Sequence, residues 1–297
     1  MMRLSLGDKI MQRSIYILLT LLALLMLYPF WNALVISFNL GSDTALGGVT
    51  LLPRAFTLEN YYIVFQDQRL LNSFLITILR TLSGTALSVF FTALLAYGMS
   101  KKTLLFRKQY MVFFMITMFF SGGLIPSYLL VRSLGMLDTF WVLIIPGIIS
   151  VWNMIVIRTF FHALPEGLEE SAKIDGSSNY GIFFRIVIPV SGPVLATIAL
   201  FTAVGYWNDW FTGAIYITKD HLLPIQTLLR QIMNSNIMTQ IGASNAIALD
   251  HMNRNRTITT KSLTMATMMI ATIPIILTYP FLQKYFVKGV MIGSMKE

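Results

Sequence analysis

Cysteine is absent from all 297 residues, which removes disulfides, zinc–cysteine centres and thiol nucleophiles from consideration. Charge is scarce. Asp, Glu, Lys and Arg make up 12% of the chain, about half the share of an ordinary soluble domain. His162, His221 and His251 are scattered, and no H-E-x-x-H spacing joins them, so no metal centre is expected. No G-x-x-x-x-G-K-[ST] phosphate loop is present, so this chain does not itself hydrolyse ATP. No cofactor is expected on it. Internal repeats and low-complexity tracts are also missing.

What is present is apolar. Hydrophobic residues reach 56% and mean hydropathy is +0.69. A soluble core of that composition would expose large adhesive patches. The chain therefore reads as an all-α membrane protein. Its net charge of +9 would suggest nucleic acid in a soluble protein. Here the bases cluster at span ends, where they fix topology, and no nucleic-acid partner is expected. The methionines, 18 of them, read as lipid-facing filler rather than a cofactor box.

Six candidate spans follow along the chain, each near the roughly 20 residues that cross a bilayer. The first covers residues 14–38, behind Arg3, Lys9 and Arg13, with Pro29 expected to kink it. It is too long for a signal peptide's apolar region, and no small-residue cleavage site closes it. Residues 39–69 read as an external loop. The second span, 71–98, carries a small-residue face of Gly84, Ser88, Thr92, Ala93 and Ala96, suited to close helix packing. It exits into Lys101, Lys102, Arg107 and Lys108, a firm cytoplasmic marker. The third, 110–131, is interrupted by Gly122, Gly123 and Pro126 and is expected to be broken or re-entrant. The fourth is 139–161 with Pro146 inside. The fifth is 190–217, and the sixth is 262–281 after a long polar loop, 218–261. Both termini are then expected in the cytoplasm. Two parts result: residues 1–70, an N-terminal helix and external loop, and residues 71–297, a core transmembrane domain with an internal loop at 162–189.

That internal loop has its own chemistry. Pro165 suits a first helical position, and Glu166, Glu169 and Glu170 sit where the helix dipole favours acids. Glu169 and Lys173 have the spacing of an intrahelical pair. Gly176 suits a left-handed cap, and Ser177 or Ser178 a second N-cap. The reading is helix, glycine hinge, helix, with Pro189 opening the next span. An acidic helix with Asp175 at its end does not belong on an anionic lipid surface. Its small residues, Ser171 and Ala172, are expected to let another protein approach. An ordinary solvated loop with dipole-favoured acids is the competing reading.

The segment resembles the signature loop of permease subunits of binding-protein-dependent ABC importers. That pattern is EAA, three residues, G, nine residues, then I-x-L-P. Glu170, Ser171 and Ala172 take the EAA places. Gly176, Ile186, Ile188 and Pro189 complete the spacing, with Ser171 and Ile188 as conservative departures. Residues 283–289 resemble the end of the shorter permease in the maltose-type, sugar-importing branch. The resemblance implies a type I importer permease fold in the bacterial cytoplasmic membrane. It also implies these partners: a second permease subunit, either a different chain as in the maltose-type arrangement or a copy of this one, two ATPase subunits holding ATP and Mg, and an extracytoplasmic solute-binding protein delivering an oligosaccharide or related sugar. The loop 218–261 is then expected to reach the binding protein. Glu166, Glu169, Glu170, Ser171, Ala172, Asp175, Gly176, Ile186 and Pro189 are the expected ATPase-coupling positions.

Two further features bear on the solute path. Arg80 and Asp209 are the charges deepest in the spans, where ionisable side chains usually face a cavity or a partner; the outer interface is the other placement. Tyr206, Trp207, Asn208, Asp209 and Trp210 combine sugar-stacking rings with hydroxyl-binding groups, or form an interfacial aromatic belt. An ion-coupled secondary transporter would show an inverted repeat, and a membrane enzyme a catalytic cluster. Neither is visible.

Overall fold

The computed structural model describes residues 6–242 and 259–294. Residues 243–258, which hold His251 and much of the loop 218–261, lie outside the described residues, as does Arg3. Fourteen helices are described: α1 Leu6–Ser37, α2 Gly41–Ala45, α3 Glu59–Gln66, α4 Gln68–Ser100, α5 Arg107–Phe119, α6 Leu124–Ser133, α7 Val151–His162, α8 Glu166–Ile174, α9 Asn179–Ile182, α10 Ile188–Val190, α11 Gly192–Asn208, α12 Phe211–Tyr216, α13 Ile225–Gly242 and α14 Thr260–Ser294. Short 3-10 turns precede α7, and a π turn at Phe183–Val187 joins α9 to α10. Three uninterrupted helices have the length and apolarity to cross a bilayer, and three bent helix pairs bring the number to six if each pair is one crossing.

The chain divides into two compact units, Met1–Gln68 with Leu229–Ile273, and Arg69–Leu228 with Pro274–Glu297. In the first unit, α1 is exposed and apolar over most of its length, with Pro29 inside it, as a helix surrounded by lipid or partner helices must be. The segment after it is not a bare loop. Buried Asn39 donates to Asp43 Oδ2 at 2.8 Å and Thr44 Oγ1 at 2.9 Å, and accepts from the Ala55 amide at 3.0 Å. Asn60 donates to the carbonyls of Ser37 and Asn39 at 2.9 and 3.0 Å. Two asparagines thus replace the hydrogen bonds that an irregular backbone lacks.

In the second unit, α4 buries one stripe, Ser73, Thr77, Arg80, Gly84, Ser88, Thr92 and Ala96, spaced three or four residues apart. Small side chains let its neighbours approach closely. The larger core gathers Tyr97, Met99, Met154, Ile157, Phe161, Phe183, Leu195 and Ile198. The third predicted span is broken as expected: α5 and α6 meet at 111° around Gly123, whose φ is 83°. The fourth bends by 54° before α7. The fifth differs from the single span predicted over 190–217. There α11 pairs with the preceding helical run Asn179–Val190 across an 81° bend, and it stops at Asn208 because Asp209 Oδ1 accepts the amides of Phe211 and Thr212 at 3.0 and 3.2 Å and starts α12 instead. The segment 218–261 is likewise not an unstructured connection, since α13 occupies much of it.

Asp138 fastens the turn after α6 to the segment after α12. It sits at φ 54°, accepts from the Thr218 amide at 2.5 Å and hydroxyl at 2.6 Å, and takes the Lys219 amide at 3.2 Å. Hydrogen bonds from the Thr218 hydroxyl, and then from its amide, hold this carboxyl below its usual pKa. The resulting stabilisation is present above about pH 4 and is lost as pH falls through the lowered value. Asp138→Asn is expected to melt below the wild type at neutral pH, with the gap closing on acidification below about pH 4. Thermal unfolding of the purified protein across pH checks this. A gap independent of pH would remove the carboxylate from the account.

Candidate functional site

Arg80 is 1% exposed in the middle of α4. A guanidinium in apolar surroundings needs partners for its donors. All come from the same unit. Nε donates to the Leu143 carbonyl at 2.9 Å and Nη1 to the Asp209 carbonyl at 3.0 Å. Nη2 forms an ion pair with Asp209 Oδ2. The Leu143 carbonyl is open because the backbone three residues on belongs to Pro146, which has no N–H, while the Gly147 amide goes to Ile144. Tyr206 completes the assembly. Its hydroxyl donates to the Ile144 carbonyl at 3.2 Å, and the guanidinium carbon of Arg80 lies 5.5 Å from its ring centroid. Gly84 makes room for that ring: a Cβ there would stand 2.9 Å from it.

These contacts join α4, the turns around residue 143 and the broken end of α11. A cavity of about 270 Å³ opens beside them, lined among others by Arg80, Ser150, Asn153, Thr202, Tyr206 and Asp209. Among the aromatic-run residues the structure brings Tyr206 and Asp209 to it. Trp207 is buried edge-on against Phe74 at 5.8 Å, Asn208 is exposed, and Trp210 packs on Phe211. The run is thus not one sugar-stacking face. Ser150, Asn153 and Thr202 escaped the sequence reading. Their signal was faint, single polar residues inside apolar stretches, and the cavity needs the fold to collect them.

The second assembly lies at the other end of α4. Helix α8 spans Glu166–Ile174 as predicted, with Pro165 at the N-cap rather than inside the helix. The Ser177 amide returns to the Ala172 carbonyl at 2.9 Å and the Gly176 amide to Lys173 at 3.0 Å, with Gly176 at φ 77°. This double closure is a Schellman stop. Ser178 Oγ then accepts the Gly181 amide at 3.2 Å and starts α9. Glu169 does not join Lys173 but forms an ion pair with Lys101, which also lies 3.9 Å from the Tyr97 ring centroid. Arg158 Nε donates to the Met99 carbonyl at 3.0 Å, and Arg107 meets His162. The start of α8 is therefore tied to the inner end of α4.

The two small residues of the loop part company. Ala172 is buried in the core beside Phe183, while Ser171 faces out with Glu170, Asp175 and Gly176. Ile186 packs partly into the same core and Pro189 is exposed. The side chain of Glu166 lies outside the described residues. Leu168, Ile174 and Tyr180 stand exposed on this loop, Ile174 by 87%. The sequence reading missed them, because apolar residues in an amphipathic helix are ordinarily assigned inward.

Residues 105–292 match the family described as binding-protein-dependent transport system inner membrane component. A polygalacturonan/rhamnogalacturonan transport system permease protein, YtcP of Bacillus subtilis (strain 168), is 39% identical, over 97% of this chain and 99% of its own. Protein LplC of the same organism is 42% identical, over 90% of this chain and 88% of its own. The fold is similar to a chain in the crystal structure of a bacterial ABC transporter involved in import of the acidic polysaccharide alginate. The TM-score is 0.86 at 28% identity, covering 96% of this chain and 100% of that one.

Removing one member of the Arg80–Asp209 pair strands a buried charge, a loss of about 3 kcal/mol or more. Arg80→Leu and Asp209→Leu are each expected to lower the thermal midpoint of the purified protein, and the double substitution to lower it less than the sum. A double mutant at the full sum would show that the two residues act independently.

Proposed function

The chain belongs to the family of binding-protein-dependent transport system inner membrane components, and we propose that it is a permease subunit through which an ATP-driven importer moves an oligosaccharide. Its partners in this reading are a second permease subunit, two ATPase subunits that hold ATP and Mg, and an extracytoplasmic solute-binding protein. Both termini lie in the cytoplasm. Uronate-bearing oligosaccharides are the first candidates for cargo, since two of the similar proteins serve acidic polysaccharides by name.

The observation that carries the coupling role is the geometry of residues 164–189. A short helix with a firm glycine stop presents Glu170, Ser171, Asp175 and the apolar Leu168 and Ile174 outward, while Ala172, Phe183 and Ile186 root it in the core. Such a helix fits into a cleft on an ATPase and moves with it as one body. ATP binding draws the two ATPases together, and the spans rock between outward and inward openings. Glu166, Glu169 and Gly176 support this indirectly, by starting, anchoring and ending the helix. Pro189 does not open the next span as expected: it is the middle residue of α10, near the end of the helical run Asn179–Val190, and the break falls at Ser191.

Gly176→Pro replaces a φ of 77° that proline cannot adopt. Glu170→Lys reverses the charge of the outward face. Each variant is expected to remain in the membrane and to lose uptake by about tenfold or more. Wild-type uptake by both would reject the coupling assignment. The cargo is tested separately. The importer, purified with its binding protein, is expected to raise its ATPase rate with oligogalacturonate and not with an amino acid or inorganic ion. Stimulation by an amino acid alone would overturn the sugar reading. Copurification of no ATPase would overturn the importer reading itself.

A further inference from the structure

Two broken spans meet at the cavity beside Arg80. Residues 148–150 interrupt the fourth predicted span before α7, and Asp209 interrupts the fifth after α11. With 12 residues in α7, Ser150 lies about 18 Å from His162. With 17 residues in α11, Asp209 lies about 25 Å from Gly192. Both distances fall within a hydrocarbon layer about 30 Å thick. Irregular backbone at that depth is tolerated where it is buried in protein or lines water. Here residues from both breaks, Ser150 and Asp209, border one open cavity.

The groups on its wall divide by availability. Arg80 directs its guanidinium nitrogens to Leu143 and Asp209, and Asp209 gives one oxygen to Arg80 and the other to two amides. Neither is free to read a solute. Ser150, Asn153 and Thr202 are differently placed. Ser150 Oγ accepts the Asn153 amide at 3.3 Å, which leaves its own proton to give. The Asn153 side chain reaches Thr202 Oγ1 only at 3.5 Å, the outer limit of a hydrogen bond. Thr202 and Tyr206 are four apart and share one side of α11. The wall therefore offers hydroxyls and an amide, which both donate and accept, next to an aromatic ring.

We infer that Ser150, Asn153 and Thr202 form a hydroxyl-reading subsite for one sugar unit on the translocation path. The Arg80–Asp209 pair holds its frame without contacting the sugar. The subsite is indifferent to charge, because the cation on its wall is already neutralised. Carboxylates of an acidic cargo are then read elsewhere, on the binding protein or the second permease subunit. This inference rests on the sugar-importer reading above.

The lack of native cysteine makes the test direct. Asn153→Cys and Thr202→Cys are assembled singly into the importer in proteoliposomes and treated with an anionic, membrane-impermeant thiol reagent. Trp152→Cys, at a side chain 62% exposed on the adjoining position, serves as the comparison. The subsite cysteines are expected to react, and Trp152→Cys to react far more slowly. Trigalacturonate delivered by the binding protein is expected to slow the subsite reaction by about tenfold, as a ligand at ten times its dissociation constant leaves about a tenth of sites free. Unreactive cysteines at both positions would overturn the inference, and so would reaction that the sugar leaves unchanged. Wild-type ATPase stimulation by the same loaded binding protein is measured alongside. If it is present while protection is absent, the subsite alone fails. If it is absent, the sugar-importer reading fails first.

Discussion

One guanidinium inside an apolar span sets the terms for the outer half of the core unit. Arg80 could not be buried there without acceptors, and the acceptors it uses are made available by irregular backbone. Pro146 frees the Leu143 carbonyl, and the end of α11 frees the carbonyl and carboxylate of Asp209. The breaks in the fourth and fifth spans and the arginine on α4 explain one another. Without Arg80 the breaks would expose unpaired carbonyls; without the breaks, Arg80 would have no carbonyl to meet. Gly84 then lets Tyr206 close over the pair.

At the inner end, the same logic works with surface chemistry. Lys101 binds Glu169 and rests on Tyr97, which packs at 5.1 Å on Phe183 below the loop. A lysine that marks topology in the sequence also fastens α8. Positive charge at a span end thus also gives the adjacent acidic helix something to bind.

Local chemistry was legible where it is self-contained. The glycine stop of α8 at Gly176 and a serine cap for α9 follow from residues within a few positions of each other, and the structure has both, with Ser178 as the cap and Pro165 one position earlier than read. The break at Gly122–Gly123 is of the same kind. The end of the fifth span was not legible, because Asp209 inside an apolar run reads equally as a deep charge or as a cap. Only its partner on α4, 129 positions away, decides. Ala172 turned inward for a similar reason. Its smallness suits any close contact, and which neighbour comes close is a tertiary fact. The cavity wall of Ser150, Asn153 and Thr202 was invisible because each residue is alone in its own segment. The expected role of the coupling residues rests on their spacing, to which the exposure of Glu170, Ser171, Asp175 and Gly176 adds an outward face.

Helix α4 runs from Gln68 to Ser100 through 33 residues with no proline. Tyr97 and Met99 sit near its C-terminal end, and Arg80 stands roughly 25–30 Å away along it. It is therefore a continuous stiff rod between the α8 loop and the frame of the cavity. A tilt imposed at Lys101 arrives at Arg80 as a displacement, with no relay of side-chain rearrangements to absorb it. The spans that break, α5–α6 and the segments around α7 and α11, offer no such unbroken path.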